Sequence, residues 1–299
     1  MNMNMKTNMK INKTTNRTIN RTINKSTGSA QGRLTGRLLP LILAALLLLS
    51  LALAGCGGQG QTSAGGGAAA QTLWEQIQEK GVITVGNSPD YDPFEFEDGT
   101  GDVIGFDIDL LTAICGELGI TYELVPLVFD NIETAVQTGQ VNVGMSGFSI
   151  TPARQETFDF STPYFSGGQA VAVNPDSGYT TVADLKGKTI TVGMSTSGME
   201  AVEANIETDD VIGMDNYALA FMQLKNKGCD ATVADLPVVQ KYAARDGFLI
   251  LDEILSYEDN AILIKKGNPD LVEALSGAIE KLRDDGTIDQ LVEKWMVSE

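Results

Sequence analysis

From about residue 72 onward the sequence alternates short β-branched runs with helical periods, and this alternation constrains the fold more than any other feature. "VITVG" (82–86) reads as a strand. "DIDLLTAICGELG" (107–119) reads as a helix, with Ile108, Leu111, Ile114 and Leu118 on one face and Gly119 at its end. "TYELVPL", "VNVGMSG", "TITVGMS", "CDATVAD", "FLILD" and "NAILIKKG" are further strands. Between and after them, "DNIETAVQTG", "GMEAVEANI", "DNYALAFMQLKNKG", "LPVVQKYAARDG", "PDLVEALSGAIEKLRDDG" and "TIDQLVEKWM" are helices. Such βα alternation predicts an α/β protein with mostly parallel sheets covered by helices on both faces. Sheets of this kind bind ligands beyond the carboxyl ends of their strands. "SGGQAVAV" (166–173) and "SYEDNAILI" (256–264) look like crossings between two lobes. A chain that leaves one lobe, builds a second and returns makes the first lobe discontinuous and leaves two hinge strands.

The region before this pattern is of a different kind. Residues 1–37 carry eight Lys or Arg and no acid, and the 17 residues of "LLPLILAALLLLSLALA" (38–54) are almost wholly apolar. This layout is that of a secretory signal, expected over 1–55. The ending "LAGC" resembles a bacterial lipobox, which implies a lipid on Cys56. The Gly- and Ala-rich 56–71 cannot bury a core and reads as a flexible tether, reaching roughly 20 Å by random-coil scaling. After Cys56 there are 13 Lys or Arg against 39 acids, a net charge of −26. That excludes nucleic acid as a partner, because phosphate binding needs a basic face. Cys115 and Cys229 sit in apolar contexts and read as two buried thiols rather than a disulfide. Histidine is absent, which removes Ser-His-Asp and Cys-His catalysis and His-containing metal sites. No metal and no cofactor are expected.

Only three arginines follow Cys56, and Arg154 stands just after the small polar run Ser146, Gly147, Ser149 and Thr151. Taken alone, it reads as an exposed arginine at a surface helix start. Asp235 in "VADLPVV" has two readings, an N-cap for the helix opening at Leu236-Pro237 or an anion for a ligand. Asp107 and Asp109 read as helix-start residues favoured by the macrodipole rather than as an acid/base pair. Glu95 and Asp92 read as rim charges, and no lone buried Glu is expected near "SIT". "GTGDVIG" (99–105) lacks a phosphate-loop Lys and reads as a hairpin turn.

Several stretches together resemble the family 3 extracellular solute-binding proteins, the amino-acid receptors of ABC importers. They are "PDYDPFEF" (89–96), "GFDIDLLTAICGEL" (105–118), "SGFSITPAR" (146–154), "FDFSTPYF" (158–165), "ADLKGKTITVGMSTS" (183–197) and "GCDATVADLPVV" (228–239). The resemblance runs from about 78 to 297. It implies a two-lobed periplasmic-binding-protein fold of type II, α/β, with two mixed, mostly parallel sheets joined by two hinge strands. Lobe 1 would comprise 72–168 plus 260–299 and lobe 2 would comprise 169–259. It further implies a monomeric binding protein, not an enzyme, that closes on a free amino acid and delivers it to ABC permease transmembrane subunits. Its place would be the extracytoplasmic face of the membrane, held by the lipid anchor.

The site residues follow from the same resemblance. Arg154 would hold the ligand carboxylate, since a planar, permanently charged fork suits it. Backbone N–H groups near Ser149, Thr196 and Ser197 would add donors. Asp235, the Gly147 carbonyl and the Ser149 hydroxyl would take the ammonium. Tyr91 and Phe129 would flank the side chain, while Phe148 would point into the core. Family members that bind basic ligands tend to carry an acid where this chain has Ser88, which favours a neutral or polar ligand. The rival reading is a dehydratase acting on cyclic dicarboxylic acids, of the cyclohexadienyl dehydratase kind.

Overall fold

The structure is a computed structural model that describes residues 70–296. The expected signal segment and Cys56 lie outside the described residues, as does all of the expected tether except its last two positions. The first helix, α1 (Leu73–Lys80), starts with a capping box in which Thr72 and Glu75 satisfy each other's backbone N–H. β1 (Val82–Asn87) follows, then three short strands, β2 (Asp90–Tyr91), β3 (Glu95–Glu97) and β4 (Val103–Ile104). These three form a small antiparallel sheet, and the turn expected from "GTGDVIG" joins β3 to β4.

Next come α2 (Phe106–Leu118), β5 (Thr121–Pro126), α3 (Phe129–Thr138) and β6 (Val143–Gly144). Helix α2 buries Ile108, Leu111 and Ile114, the face its periodicity predicts, and Gly119 caps it. A short α4 (Pro152–Thr157), β7 (Phe158–Phe160) and the long β8 (Phe165–Val173) lead to the second half. That half contains β9 (Ile190–Gly193), α5 (Ser197–Asn205), β10 (Val211–Met214), α6 (Tyr217–Lys225), β11 (Ala231–Asp235), α7 (Leu236–Asp246) and β12 (Leu249–Ile250). β13 (Ser256–Asn260) and β14 (Leu263–Lys265) bring the chain back, and α8 (Pro269–Asp284) and α9 (Thr287–Trp295) complete it.

The first large sheet has the order β5-β1-β6-β14-β7 and the second β10-β9-β11-β8-β12, with β13 also on β8. In each, three strands are parallel: β5, β1 and β6 in the first, β10, β9 and β11 in the second. The returning strands are antiparallel to them, so the sheets are mixed around parallel cores. Strands β7 and β10 go unmarked in the sequence pattern: β7 is three residues long, and no residue of β10 is fully buried.

β8 and β13 pair along Phe165–Gln169 and Asn260–Ser256. The upper part of β8 continues into the second sheet as the partner of β11. The end of β13 bridges Ser149, just beyond β6. Two antiparallel strands therefore carry the chain between the halves, at the two segments that read as crossings. Among the described residues no helix is long and apolar enough to cross a membrane. Cys115 and Cys229 are both free and buried.

Candidate ligand site between the two sheets

The carboxyl ends of β1 and β6 in the first sheet face those of β9 and β11 in the second, across one cavity. Its lining includes Ser88, Asp90, Tyr91, Phe129, Gly147, Ser149, Arg154, Thr196, Ser197, Tyr217 and Asp235. All eight residues expected at a ligand therefore line one space. Its atom-free volume, open mouth included, is about 520 Å³.

On the first side, β1 ends in Asn87, whose amide donates to the Met145 carbonyl at 2.7 Å. The Ser88 N–H donates to Ser146 Oγ at 3.0 Å. These bonds fix the turn after β6. At its centre Gly147 has φ 58°, and a Cβ there would lie 3.2 Å from the Tyr91 ring, so glycine is needed for both conformation and space. The Gly147 carbonyl accepts from Asn260 Nδ2 at 2.7 Å, tying the turn to the returning strand.

Thr151 then caps α4, accepting from the Arg154 N–H at 3.3 Å, with Pro152 at the first helical position. This start aims Arg154 inward, and it is 7% exposed. The reading of Arg154 as an exposed surface residue therefore fails. Its guanidinium carbon lies 5.0 Å from the Phe148 ring centre and 5.6 Å from that of Phe129, and the two rings stack at 4.6 Å. Phe148 is fully buried, as expected of a core residue. Nε donates to Glu133 Oε1 at 2.9 Å, Nη1 to the Ser149 carbonyl at 3.0 Å and Nη2 to the Ser195 carbonyl at 3.1 Å. A guanidinium has five N–H donors, so two are left without a partner among the described residues.

On the second side, β9 leads through Gly193 into α5. A Cβ on Gly193 would come within 2.5 Å of the Tyr217 hydroxyl, so the tyrosine packs directly on backbone. Thr196 holds its own turn, its hydroxyl donating to the Gly193 carbonyl at 2.8 Å. Ser197 Oγ donates across the cavity to Ser149 Oγ at 3.0 Å.

β11 ends in Asp235, the N-cap position of α7, with a proline in the helix's first turn. The Asp235 side chain makes no capping bond. It points instead into the cavity, where Oδ2 accepts from the Tyr91 hydroxyl and Oδ1 has no partner among the described residues. The Asp235 N–H donates back to the Tyr91 hydroxyl at 3.1 Å. Burial pushes the Asp235 carboxyl up to about 7, with the bond from Tyr91 opposing the shift. An uncompensated buried carboxylate is costly, and a cation placed against it removes the cost.

Three features of the site were not legible in the sequence. Tyr217, at the start of α6, lies 4.7 Å from the Tyr91 ring centre, and its N–H donates to Asp90 Oδ2 at 3.2 Å. Glu95 is not a rim charge: it is fully buried, lines the cavity and accepts from Ser146 Oγ at 2.7 Å. A buried Glu does therefore stand beside the "SIT" segment. Asp107 does start α2, but its side chain is fully buried and accepts from the Gly147 N–H at 2.9 Å and the Tyr164 hydroxyl at 3.0 Å. Asp92 is half-buried. Asp109 pairs with Lys294 and accepts from Trp295 Nε1, each at 2.7 Å, anchoring α9. Among the described residues no cluster of His, Cys, Asp or Glu has metal-holding geometry.

Four polar contacts cross between the halves: Tyr91 to Asp235, Ser197 to Ser149, Arg154 to Ser195, and the Tyr217 N–H to Asp90. The halves are thus closed on each other around a space with a free cationic edge on one wall and a free anionic oxygen on the other.

Residues 83–298 match the bacterial extracellular solute-binding proteins, family 3. The chain is 31% identical to the L-cystine-binding protein TcyJ of Escherichia coli K12 over 229 residues, covering 75% of this chain and 85% of that protein. It is 31% identical to a probable histidine-binding protein of Neisseria gonorrhoeae, covering 86% and 96%. Among solved structures it resembles the ancestral amino acid-binding protein AncCDT-1, a precursor of cyclohexadienyl dehydratase. The TM-score is 0.70 and the identity 35%, over 74% of this chain and 98% of that one. The relatives are binding proteins rather than enzymes, and the type II periplasmic-binding-protein fold is theirs as well.

Proposed function

The chain belongs to the bacterial extracellular solute-binding proteins, family 3, and from that premise we propose that it closes on one free L-amino acid and hands it to the membrane subunits of an ABC importer. The reading rests on one observation. Arg154, with two N–H donors to spare, and Asp235, with an unpartnered oxygen, enter the same cavity from different sheets. A zwitterion is the ligand that meets both. Its carboxylate takes the two guanidinium donors, with Ser149 and the α5 N-terminus at Thr196 and Ser197 beside it. Its ammonium takes Asp235 Oδ1, the Gly147 carbonyl and the Ser149 hydroxyl. Tyr91 and Phe129 flank the side chain.

Lobes 72–168 plus 260–299 and 169–259 then act as two halves about β8 and β13. Hinge closure around a ligand is the established motion of periplasmic binding proteins. A ligand favours the closed form only through contacts that the open form lacks, and Arg154 and Asp235 supply them from opposite sides.

The cavity also bears on which amino acid is taken. Arg154 is the only Lys or Arg among its lining residues, whereas Asp90, Asp130 and Asp215 all line it. Acidic side chains are therefore disfavoured, and polar, neutral and cationic ones fit. The preference for a neutral ligand read from Ser88 weakens here, because Ser88 Oγ donates to Asp90 Oδ1 at 2.9 Å and an acid stands on that wall after all. Cystine and histidine, the ligands named for two relatives, fall in the accepted range.

Secretion by the 1–55 segment, a lipid on Cys56 and the 56–71 tether would hold this receptor, as a monomer, at the outer face of the membrane. A Cys56→Ala variant would then move from the membrane fraction to the soluble one. Melting-temperature shifts over the twenty amino acids and cystine test the main reading. A ligand at 100 times its Kd stabilises by about 2.7 kcal/mol. A set of stabilising amino acids that excludes aspartate and glutamate is expected. No shift with any of them, together with turnover of prephenate or arogenate, would favour the dehydratase alternative.

A further inference from the structure

Beneath the ligand-facing turn lie two carboxyls, Glu95 on β3 and Asp107 on α2, each 0% exposed. Each has one satisfied oxygen. Glu95 Oε1 accepts from Ser146 Oγ, and Asp107 Oδ2 accepts from the Gly147 N–H and from the Tyr164 hydroxyl. Each also has one oxygen, Glu95 Oε2 and Asp107 Oδ1, without a partner when both groups are treated as acceptors. The two side chains bond adjacent residues of one turn, Ser146 and Gly147, and so lie side by side beneath it. Two buried carboxylates in contact, with no cation on either, would be strongly unfavourable.

A single proton resolves both unpartnered atoms. We infer that Glu95 is a neutral carboxylic acid that donates to Asp107, and that this acid pair is a positioning element holding the Ser146–Gly147 turn in its ligand-binding shape. One member grips the turn at the Ser146 hydroxyl and the other at the Gly147 N–H. Ionising both would set two negative charges under the turn and drive its anchors apart.

The surrounding groups agree with this assignment. Asp90 on β2 and Tyr164 before β8 face the pair, and Asp235 lies across the cavity. All are acids or phenols. Among the described residues no Lys or Arg bonds either carboxyl. Burial and the neighbouring Asp107 hold the Glu95 carboxyl well above the usual carboxylate range, whereas the hydrogen bonds to Asp107 limit its rise to about 6. Asp107 already accepts from a backbone N–H and a phenol whereas Glu95 has a single hydroxyl partner, so within the pair the proton belongs to Glu95.

The relevance of the turn to binding rests on the proposed amino-acid site, so the test uses the ligand-free mature protein and needs no ligand. Infrared spectra in D2O at about pH 8.5, more than a unit above Asp235, read the C=O band of a buried protonated carboxyl. The wild type is expected to show that band and Glu95→Gln to lack it. Hydrogen exchange then reads the turn. Glu95→Gln, whose amide still donates to Asp107, is expected to keep the protection of residues 146–149 within about threefold, whereas Glu95→Ala loses tenfold or more, in proportion to the lost bonds. As pH is raised further, protection should fall in the wild type and stay level in Glu95→Gln. Absence of the band from the wild type, its persistence in Glu95→Gln, or undiminished protection in Glu95→Ala would overturn the proposal.

Discussion

Lowering the pH should weaken ligand binding through Asp235, and the size of the effect follows from its environment. The carboxyl is 3% exposed, has one oxygen bonded to Tyr91 and one unpartnered, and titrates at about 7 in the ligand-free protein. The ammonium of a bound amino acid needs the ionised form. At pH 6 only about a tenth of the molecules carry it, so the apparent Kd should rise roughly tenfold, and about a hundredfold at pH 5. At about pH 8 binding should be near its plateau, and binding below pH 7 should release close to one proton per ligand.

Calorimetry at several pH values, in buffers of different ionisation enthalpy, measures both quantities. The ligand must not itself titrate between about pH 5 and 8. Asp235→Asn should remove the pH dependence while lowering affinity at pH 8 by roughly 2–5 kcal/mol, since it strands the ammonium in a buried site. A wild-type affinity that stays flat between pH 5 and 8 would refute the reasoning.

Other consequences concern stability and space. Asp235, Asp107 and Glu95 all have folded-state carboxyls raised above their usual values. The folded chain therefore binds protons more tightly than the unfolded one. For Asp107 and Asp235 that stability is complete below about pH 4 and is lost as pH rises through 6 to 7, whereas the share from Glu95 persists to higher pH. The ligand-free melting temperature should fall across that window. Asp235→Asn should flatten it by up to about 4 kcal/mol, the equivalent of the shift from 3.8 to about 7. Gly147→Ala would force a side chain into a φ of 58° and against Tyr91. Chemical denaturation should show a loss of about 1–2 kcal/mol, accompanied by weaker binding.

The eight residues expected at a ligand, which all line the cavity, were named through motifs that resemble those of a known family, whereas the local pattern alone leaves Arg154 exposed. Arg154 follows a capping Thr-Pro pair that aims it inward, and Asp235 ends a strand at a helix start, where the sequence leaves a cap or a ligand contact equally open. The orphaned Oδ1 and the absence of a capping bond favour the second. What stayed hidden depends on contacts far apart in the chain. Glu95 sits in "FEFED", among acids that face water, and only its juxtaposition with Ser146, 51 positions away, makes it a buried acid. Asp107 has the position of a helix-start residue, yet its partners are Gly147 and Tyr164, 40 and 57 positions away. Tyr217 lies in a helical segment that carries no site signal of its own, and its partner Tyr91 stands 126 positions earlier in the chain. Strand β10, with no fully buried residue, leaves no periodic signal to read.

The central claim is that a guanidinium from one half and a carboxylate from the other hold a zwitterion between them. Titration of Arg154→Ala with the amino acid that most stabilises the wild type, followed calorimetrically in a variant shown by circular dichroism to be folded, tests it most directly. Loss of two charge-assisted hydrogen bonds, at about 1.5–3 kcal/mol each, predicts an affinity lower by at least a hundredfold. Binding of that amino acid at the wild-type affinity would contradict the account.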